Sequence, residues 1–255
     1  MDEKNLISLQ TKPTPKYNIL SVQNEAELLK NVLGHFGKIA LLKTVPVEEK
    51  TYVSNWIFDD QGEKQVIEQI NHFIKYNDQF TVSFIKTVLN NDKVIYYFRG
   101  IALNIVDGNA IKKIAVFKNT ELQLENEVES DVEALVLPVY SEPSEEQENN
   151  VTTKDLDDCW LNGCCSFRYN GLPWNPLVFY RWCGKGCGNG CGSTPTPVNA
   201  LDSCCKTHDC CYVGKTYPAK CKCDSAAASC AAGTDNAGSD RVMAAMITLQ
   251  ALNGC

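Results

Sequence analysis

The first 158 residues contain no cysteine, and the whole chain has only three histidines and three methionines. Without thiols, and with His35 and His72 far from other ligand-type residues, the first half offers neither a disulfide framework nor a zinc site nor a histidine-activated nucleophile. Its paired carboxylates, Glu48-Glu49 and Asp59-Asp60, read as capping or solvated charge near element ends. Long apolar runs are missing everywhere: nothing approaches the roughly 20 residues a membrane-spanning helix needs. Met1-Asp2-Glu3-Lys4-Asn5 is acidic, and no apolar stretch of leader length follows before Pro13, so a secretory leader is not expected. The first half thus shows no chemistry of its own.

What is present divides sharply. All 14 cysteines lie at or after Cys159. Up to Asp158 the chain carries 16 basic and 26 acidic side chains, and from Cys159 onward 8 and 5. An acidic, cysteine-free half therefore precedes a mildly basic, cysteine-dense one. The second has the composition of a disulfide scaffold from an oxidising compartment. A secreted or extracellular location follows as an expectation, reached by non-classical export or with the first half as leader or pro-region.

Read in order, residues 1–20, with Pro13 and Pro15, suggest a mobile arm. Asn24–Leu33 has a capping residue in Asn24, early acids and apolar Leu28, Leu29, Val32 and Leu33, the pattern of an amphipathic helix ending near Gly34. Lys38–Val47 reads as a strand and Asp60–Tyr76 as a second helix, with Val66, Ile67, Ile70, Phe73 and Ile74 on one stripe. Phe80–Leu89, Val94–Val106 and Ile111–Phe117 are β-branched and aromatic, separated by Asn90-Asn91-Asp92 and Asp107-Gly108-Asn109 turns. The expected fold of residues 1–140 is α+β with an antiparallel sheet. Residues 141–158 are polar and acidic, a linker too poor in apolar side chains to order itself and open to proteolysis. That permits masking of the basic half by the acidic half until the linker is cut, or simply two domains on a tether.

From residue 159 the chain is expected to form a small, mainly helical unit. Aromatic residues Trp160, Phe167, Tyr169, Trp174, Phe179 and Tyr180 suit either a compact core or a membrane interface. Trp182, beside Arg181 and Lys185, is the best single candidate for lipid contact. Asp240–Leu252, with Val242, Met243, Met246, Ile247 and Leu249, reads as a helix on the core.

The chemistry concentrates in Cys204-Cys205-Lys206-Thr207-His208-Asp209-Cys210-Cys211-Tyr212. At about 3.6 residues per turn, Cys204, His208 and Cys211 share a face. Cys223 and Cys230 repeat the seven-residue spacing of Cys204 and Cys211. Two antiparallel helices would pair the first cysteine of each with the last of the other, giving Cys204–Cys230 and Cys211–Cys223 and setting Asp224 near His208. A neutral imidazole held by a carboxylate suits a general base. Asp209, on a neighbouring face, suits a hard cation together with carbonyls of a Gly-rich loop.

At these residues the chain resembles the secreted phospholipase A2 family. Thr196–Tyr212 looks like its active-site helix, Cys221–Cys230 like the partner helix and Trp182-Cys183-Gly184-Lys185-Gly186 like the start of its calcium loop. The resemblance covers the last 80–100 residues, a domain spanning 159–255 with two antiparallel cross-linked helices. It implies Ca2+-dependent hydrolysis of the sn-2 ester of phospholipids at a membrane surface, with no nucleic acid among the partners. Carried over by motif, His208 activates water, Asp224 supports it, Tyr212 bonds that aspartate and the Gly184 loop amide polarises the ester. The carbonyls of Trp182, Gly184 and Gly186 with the Asp209 carboxylate hold calcium, and the loop disulfide is Cys183–Cys205. Two departures stand out. Cys187-Gly188-Asn189-Gly190 is a second Cys-Gly-x-Gly that also fits the calcium loop, and the usual hairpin is missing between Tyr212 and Cys221. Tyr217 is offered only loosely as a second supporting tyrosine. Rival readings are zinc at Cys183, Cys187 and Cys191, and a non-enzymatic disulfide-rich toxin or membrane-binding module. The partners of Cys159, Cys164, Cys165, Cys187, Cys191, Cys210, Cys221 and Cys255 cannot be deduced from spacing.

Overall fold

A computed structural model describes residues 5–14, 17–60, 62–88, 93–140, 159–160, 163–188 and 191–255. The N-terminal part is a meander of seven antiparallel strands, neighbours in space in the order they occur in sequence. They are β1 (Asn5–Pro13), β2 (Glu48–Asp60), β3 (Glu63–Asn77), β4 (Phe80–Val88), β5 (Val94–Val106), β6 (Asn109–Lys118) and β7 (Glu121–Ser130). Helix α1 (Gln23–His35) lies between β1 and β2. Asp107 and Gly108, at φ 52° and 81°, form the tight turn from β5 to β6. Positive φ at both central residues matches the right-handed twist of the strands it joins.

Both faces of this sheet are covered, and the alternation of side chains along the central strands shows by what. Val82, Phe84, Phe98, Ala115 and Phe117 pack on Leu29, Val32 and Leu33 of α1. The intervening Ile85, Tyr97, Ile101, Ile114 and Val116 belong to one continuous cluster with Cys165, Phe167, Leu201, Ala228, Val242 and Ile247 from the C-terminal part. The two parts therefore share a core.

The C-terminal part is helical and disulfide-rich. A small hairpin, β8 (Ser166–Arg168) with β9 (Leu177–Phe179), precedes α2 (Ala200–Tyr212), α3 (Cys221–Ala232) and α4 (Ser239–Leu252). All 14 cysteines form seven disulfides. Cys204–Cys230 and Cys211–Cys223 cross-link α2 and α3 antiparallel, as the spacing predicts. Helix α4 is buried on most sides. Its Ala244 carbonyl and Thr248 hydroxyl accept bonds of 3.1 and 3.2 Å from the Gln69 amide on β3, itself fully buried. Arg99 on β5 donates to the Thr234 carbonyl at 2.6 Å, and Lys112 on β6 pairs with Asp235 at 2.5 Å. Gln69, Arg99 and Lys112 thus each find a partner across the junction, which offsets the cost of burying them.

Three expectations for the first half need correction. Residues 5–13 are a strand paired with β2, not a loose arm; as an edge strand β1 tolerates Pro13 at its end. Lys38–Val47 is no strand but a short 3-10 turn at Ile39–Lys43 followed by loop, with Val45 and Val47 largely exposed. Asp60–Tyr76 is β2's end and β3, not a helix. Burial of β3 on both faces fills consecutive positions 71–74 with inward-facing residues, which erases the period-2 signal. Asn24 lies inside α1, whose N-cap is Val22. His35 pairs with Glu125, and His72 is buried against Thr51, so both are structural. The linker at 141–158 and the Asn90-Asn91-Asp92 turn lie outside the described residues.

Candidate active site

Helix α2 begins where the Asn199 side chain caps it, accepting from the Asp202 amide at 3.0 Å. Asp202 is fully buried, and it positions the neighbouring loop. Its Oδ1 accepts from the amides of Trp182, Arg181 and Cys183 at 2.8, 3.1 and 3.3 Å, and its Oδ2 from Val198 at 3.0 Å. A carboxylate gathering several N–H groups in a buried setting is a strong anchor. The sequence reading missed it; the signal available was an acid three residues after an Asn cap. Covalent ties add to it. Cys183–Cys205 and Cys191–Cys210 fasten both ends of the loop along α2, and Cys164–Cys187 fastens its middle to the segment before β8.

One helical turn past Cys204, His208 projects towards α3. Its Nε2 lies 2.9 Å from Asp224 Oδ1. Asp224, fully buried, also accepts from the Tyr212 hydroxyl at 2.5 Å and from Tyr217 at 2.9 Å, and the two hydroxyls lie 2.8 Å apart. With Nε2–H donated to the carboxylate, Nδ1 keeps the lone pair. The orphan position of Tyr217 is thereby resolved: it is the second tyrosine on Asp224. Sequence spacing alone gave no register for it because the chain from Tyr212 to Cys221 is irregular.

Burial opposes protonation of His208, yet the Asp209 and Asp224 carboxylates outweigh it and hold the ring's pKa above its ordinary 6.5. Burial, then the Asp224 carboxylate beside it, pushes the Tyr212 hydroxyl far up, so it remains a donor. The Lys220 ammonium sits 4.4 Å over the Tyr212 ring.

His208 and Asp209 open onto a cavity of about 780 Å³ that is also lined by the loop from Trp182 to Gly188. Asp209 Oδ1 lies 3.8 Å from His208 Nδ1, beyond hydrogen-bond length. Gly184 adopts φ 126°, and a Cβ there would lie 2.1 Å from the Gly163 carbonyl oxygen, so only glycine fits. The Cys183 and Lys185 carbonyls accept from Cys165 and Gly163 at 2.8 and 2.7 Å. The Gly184 carbonyl accepts from the Cys187 amide at 3.1 Å, which leaves its oxygen a second lone pair. Among the described residues no three His, Cys, Asp or Glu side chains gather as a metal cluster. A cation here must draw on backbone oxygens beside Asp209, an all-oxygen set that fits a hard ion such as calcium.

Two expectations do not survive. Zinc at Cys183, Cys187 and Cys191 is excluded because each sulfur is in a disulfide. Trp182 is not a lipid-facing side chain: it is 1% exposed, donates Nε1–H to the Pro195 carbonyl at 2.8 Å and carries Lys206 over its ring. The large exposed aromatics are Trp174 and Phe179, 75% and 61% exposed. Of the second Cys-Gly-x-Gly, Asn189 and Gly190 lie outside the described residues.

Comparison with protein-family models, with curated proteins and with solved structures finds no match for this chain.

Proposed function

We propose that the protein is a calcium-dependent phospholipase A2, hydrolysing the sn-2 ester of phospholipids to a fatty acid and a lysophospholipid. The observation that carries this reading is the chain Asp224–His208 ending on a cavity also lined by Asp209 and a glycine loop. His208 Nδ1 takes a proton from water as the oxygen attacks the ester carbonyl; Asp224 holds the tautomer and balances the imidazolium that forms. Tyr212 and Tyr217 fix Asp224 by satisfying its oxygens. The same proton then passes to the leaving alkoxide. The Gly184 amide is assigned to the oxyanion, where a preorganised donor contributes most. Asp209 and the carbonyls of Trp182, Gly184 and Gly186 would hold calcium, which would supply polarisation of the ester carbonyl and positive charge beside the oxyanion. Seven disulfides suit an oxidising, extracellular setting, and a phospholipid surface is the proposed partner.

The test is fatty-acid release from phospholipid vesicles by oxidised full-length protein, with calcium and then with chelator. His208→Gln is expected to lower the rate by about 10²–10⁴-fold while the fold persists, and Asp209→Lys to abolish calcium binding. Wild-type rates in both variants, or no calcium-dependent release, would leave a disulfide-rich binding module or toxin as the reading.

A further inference from the structure

The cavity that opens at His208 does not end within the disulfide-linked unit. Past the polar mouth its walls are Val242, Met246, Leu249 and Leu252 of α4, together with Leu6 of β1 and Trp160. Val242, Met246 and Leu249 follow at i, i+4 and i+7, one stripe of the helix. Residues 242 to 252 extend for roughly 15 Å at 1.5 Å per residue. Leu6 pairs in register with Phe58 of β2. Trp160 rests edge-on against Trp56 and Phe58 of the same strand, with ring centroids 5.4 and 6.4 Å away. The far wall is thus founded on the N-terminal sheet. Meanwhile the Ala244 and Thr248 side of α4 is bonded to Gln69 of that sheet, so the helix is fixed between sheet and cavity.

We propose that the N-terminal sheet is a permanent part of the substrate site, closing with α4 an apolar channel that takes a long acyl chain, and that it is not a removable mask. This rests on the hydrolase reading, since His208 sets where the ester lies. The length of the apolar wall accepts a long chain, whereas an acetyl or butyryl group would leave most of it empty. A shared buried core makes the sheet and the helical unit one body. Removal of the sheet would expose the apolar back of α4 and open the channel floor to water.

The experiment measures hydrolysis of phosphatidylcholines bearing an sn-2 oleoyl or an sn-2 hexanoyl chain, both in the same detergent micelles, by full-length protein. Met246→Trp narrows the channel from the helix side and Leu6→Phe from the sheet side. Each is expected to lower the oleoyl-to-hexanoyl rate ratio by about tenfold or more. Should Leu6→Phe fail to fold, Trp160→Ala, at a half-buried position, tests the same wall by widening it, and the ratio must shift. An unchanged ratio in Met246→Trp, with both esters cleaved, overturns the channel; a ratio that moves with Met246 but with no sheet-side variant overturns the sheet's part in it. If wild-type protein cleaves neither ester, the hydrolase reading fails instead. Binding of dansyl-undecanoic acid to the full chain then decides the cavity separately: weakened binding in Met246→Trp upholds it, and equal binding overturns it.

Discussion

The two parts of this molecule are held together by different means. The sheet, without a single thiol, is stable because apolar layers cover both of its faces: α1 on one side, the helical unit on the other. The helical unit has short helices rich in alanine and cysteine, which bury little each, and seven disulfides restrict its unfolded chain instead. Cross-links there do a second job. Two of them hold a glycine loop against α2 and a third ties it to the segment before β8, and so they set the position of backbone groups, which hydrophobic packing alone positions poorly. The difference teaches where precision is needed: the sheet supplies bulk and a wall, and the stapled helices supply geometry.

Reduction should break the comparison most severely. In dithiothreitol the helical unit is expected to lose its protection against hydrogen exchange and all activity, while β3 to β6 keep the strongest protection left; equal loss in both parts would show that the sheet depends wholly on its partner. Typical costs are about 2–5 kcal/mol for each native disulfide removed. Next in size is Asp202→Asn, which keeps one acceptor oxygen but puts an amide donor against backbone N–H groups. It is expected to cost about 1–3 kcal/mol and to lower activity through a displaced loop, read as a thermal shift beside the rate. Gln69→Ala tests the junction: loss of its bonds to α4 should destabilise by about 1–3 kcal/mol, with melting still in one transition if the two parts are one cooperative body.

The smallest effect concerns pH in calcium-free protein. Because the folded pKa of His208 is raised above 6.5, its contribution to stability is full below that value and fades as pH rises through the folded pKa. Its use as a base runs the other way, since only the neutral ring accepts a proton. An NMR titration of His208 in chelator, beside melts over the same range, checks both; a midpoint at or below 6.5 would show the carboxylates do not outweigh burial.

Much of the site was legible in sequence. Helical spacing placed His208 opposite Asp224 and paired Cys204 with Cys230 and Cys211 with Cys223, because local periodicity fixes which side chains share a helix face. The loop disulfide Cys183–Cys205 followed only from resemblance to a known family, and the structure contains it. The anchoring role of Asp202 was overlooked, although its place after an Asn cap hinted at it, and Tyr217 was reached only as a guess that its bond to Asp224 bears out, since each acts on partners brought near by irregular chain. In the first half, β4 to β6 and α1 were readable, whereas β3 looked like a helix because tertiary burial on both faces overrides a period-2 pattern.

By itself, then, the sequence determined the division into an acidic cysteine-free part and a stapled helical part, the antiparallel helix pair and its histidine–aspartate couple. Those are set by composition and by side-chain spacings of up to two turns within each helix. Only the tertiary structure decided that the two parts share one core, that Trp182 is an internal support, and that Leu6 lies on the wall of the cavity at His208. Such contacts join residues far apart in the chain, and no local pattern encodes which apolar face meets which.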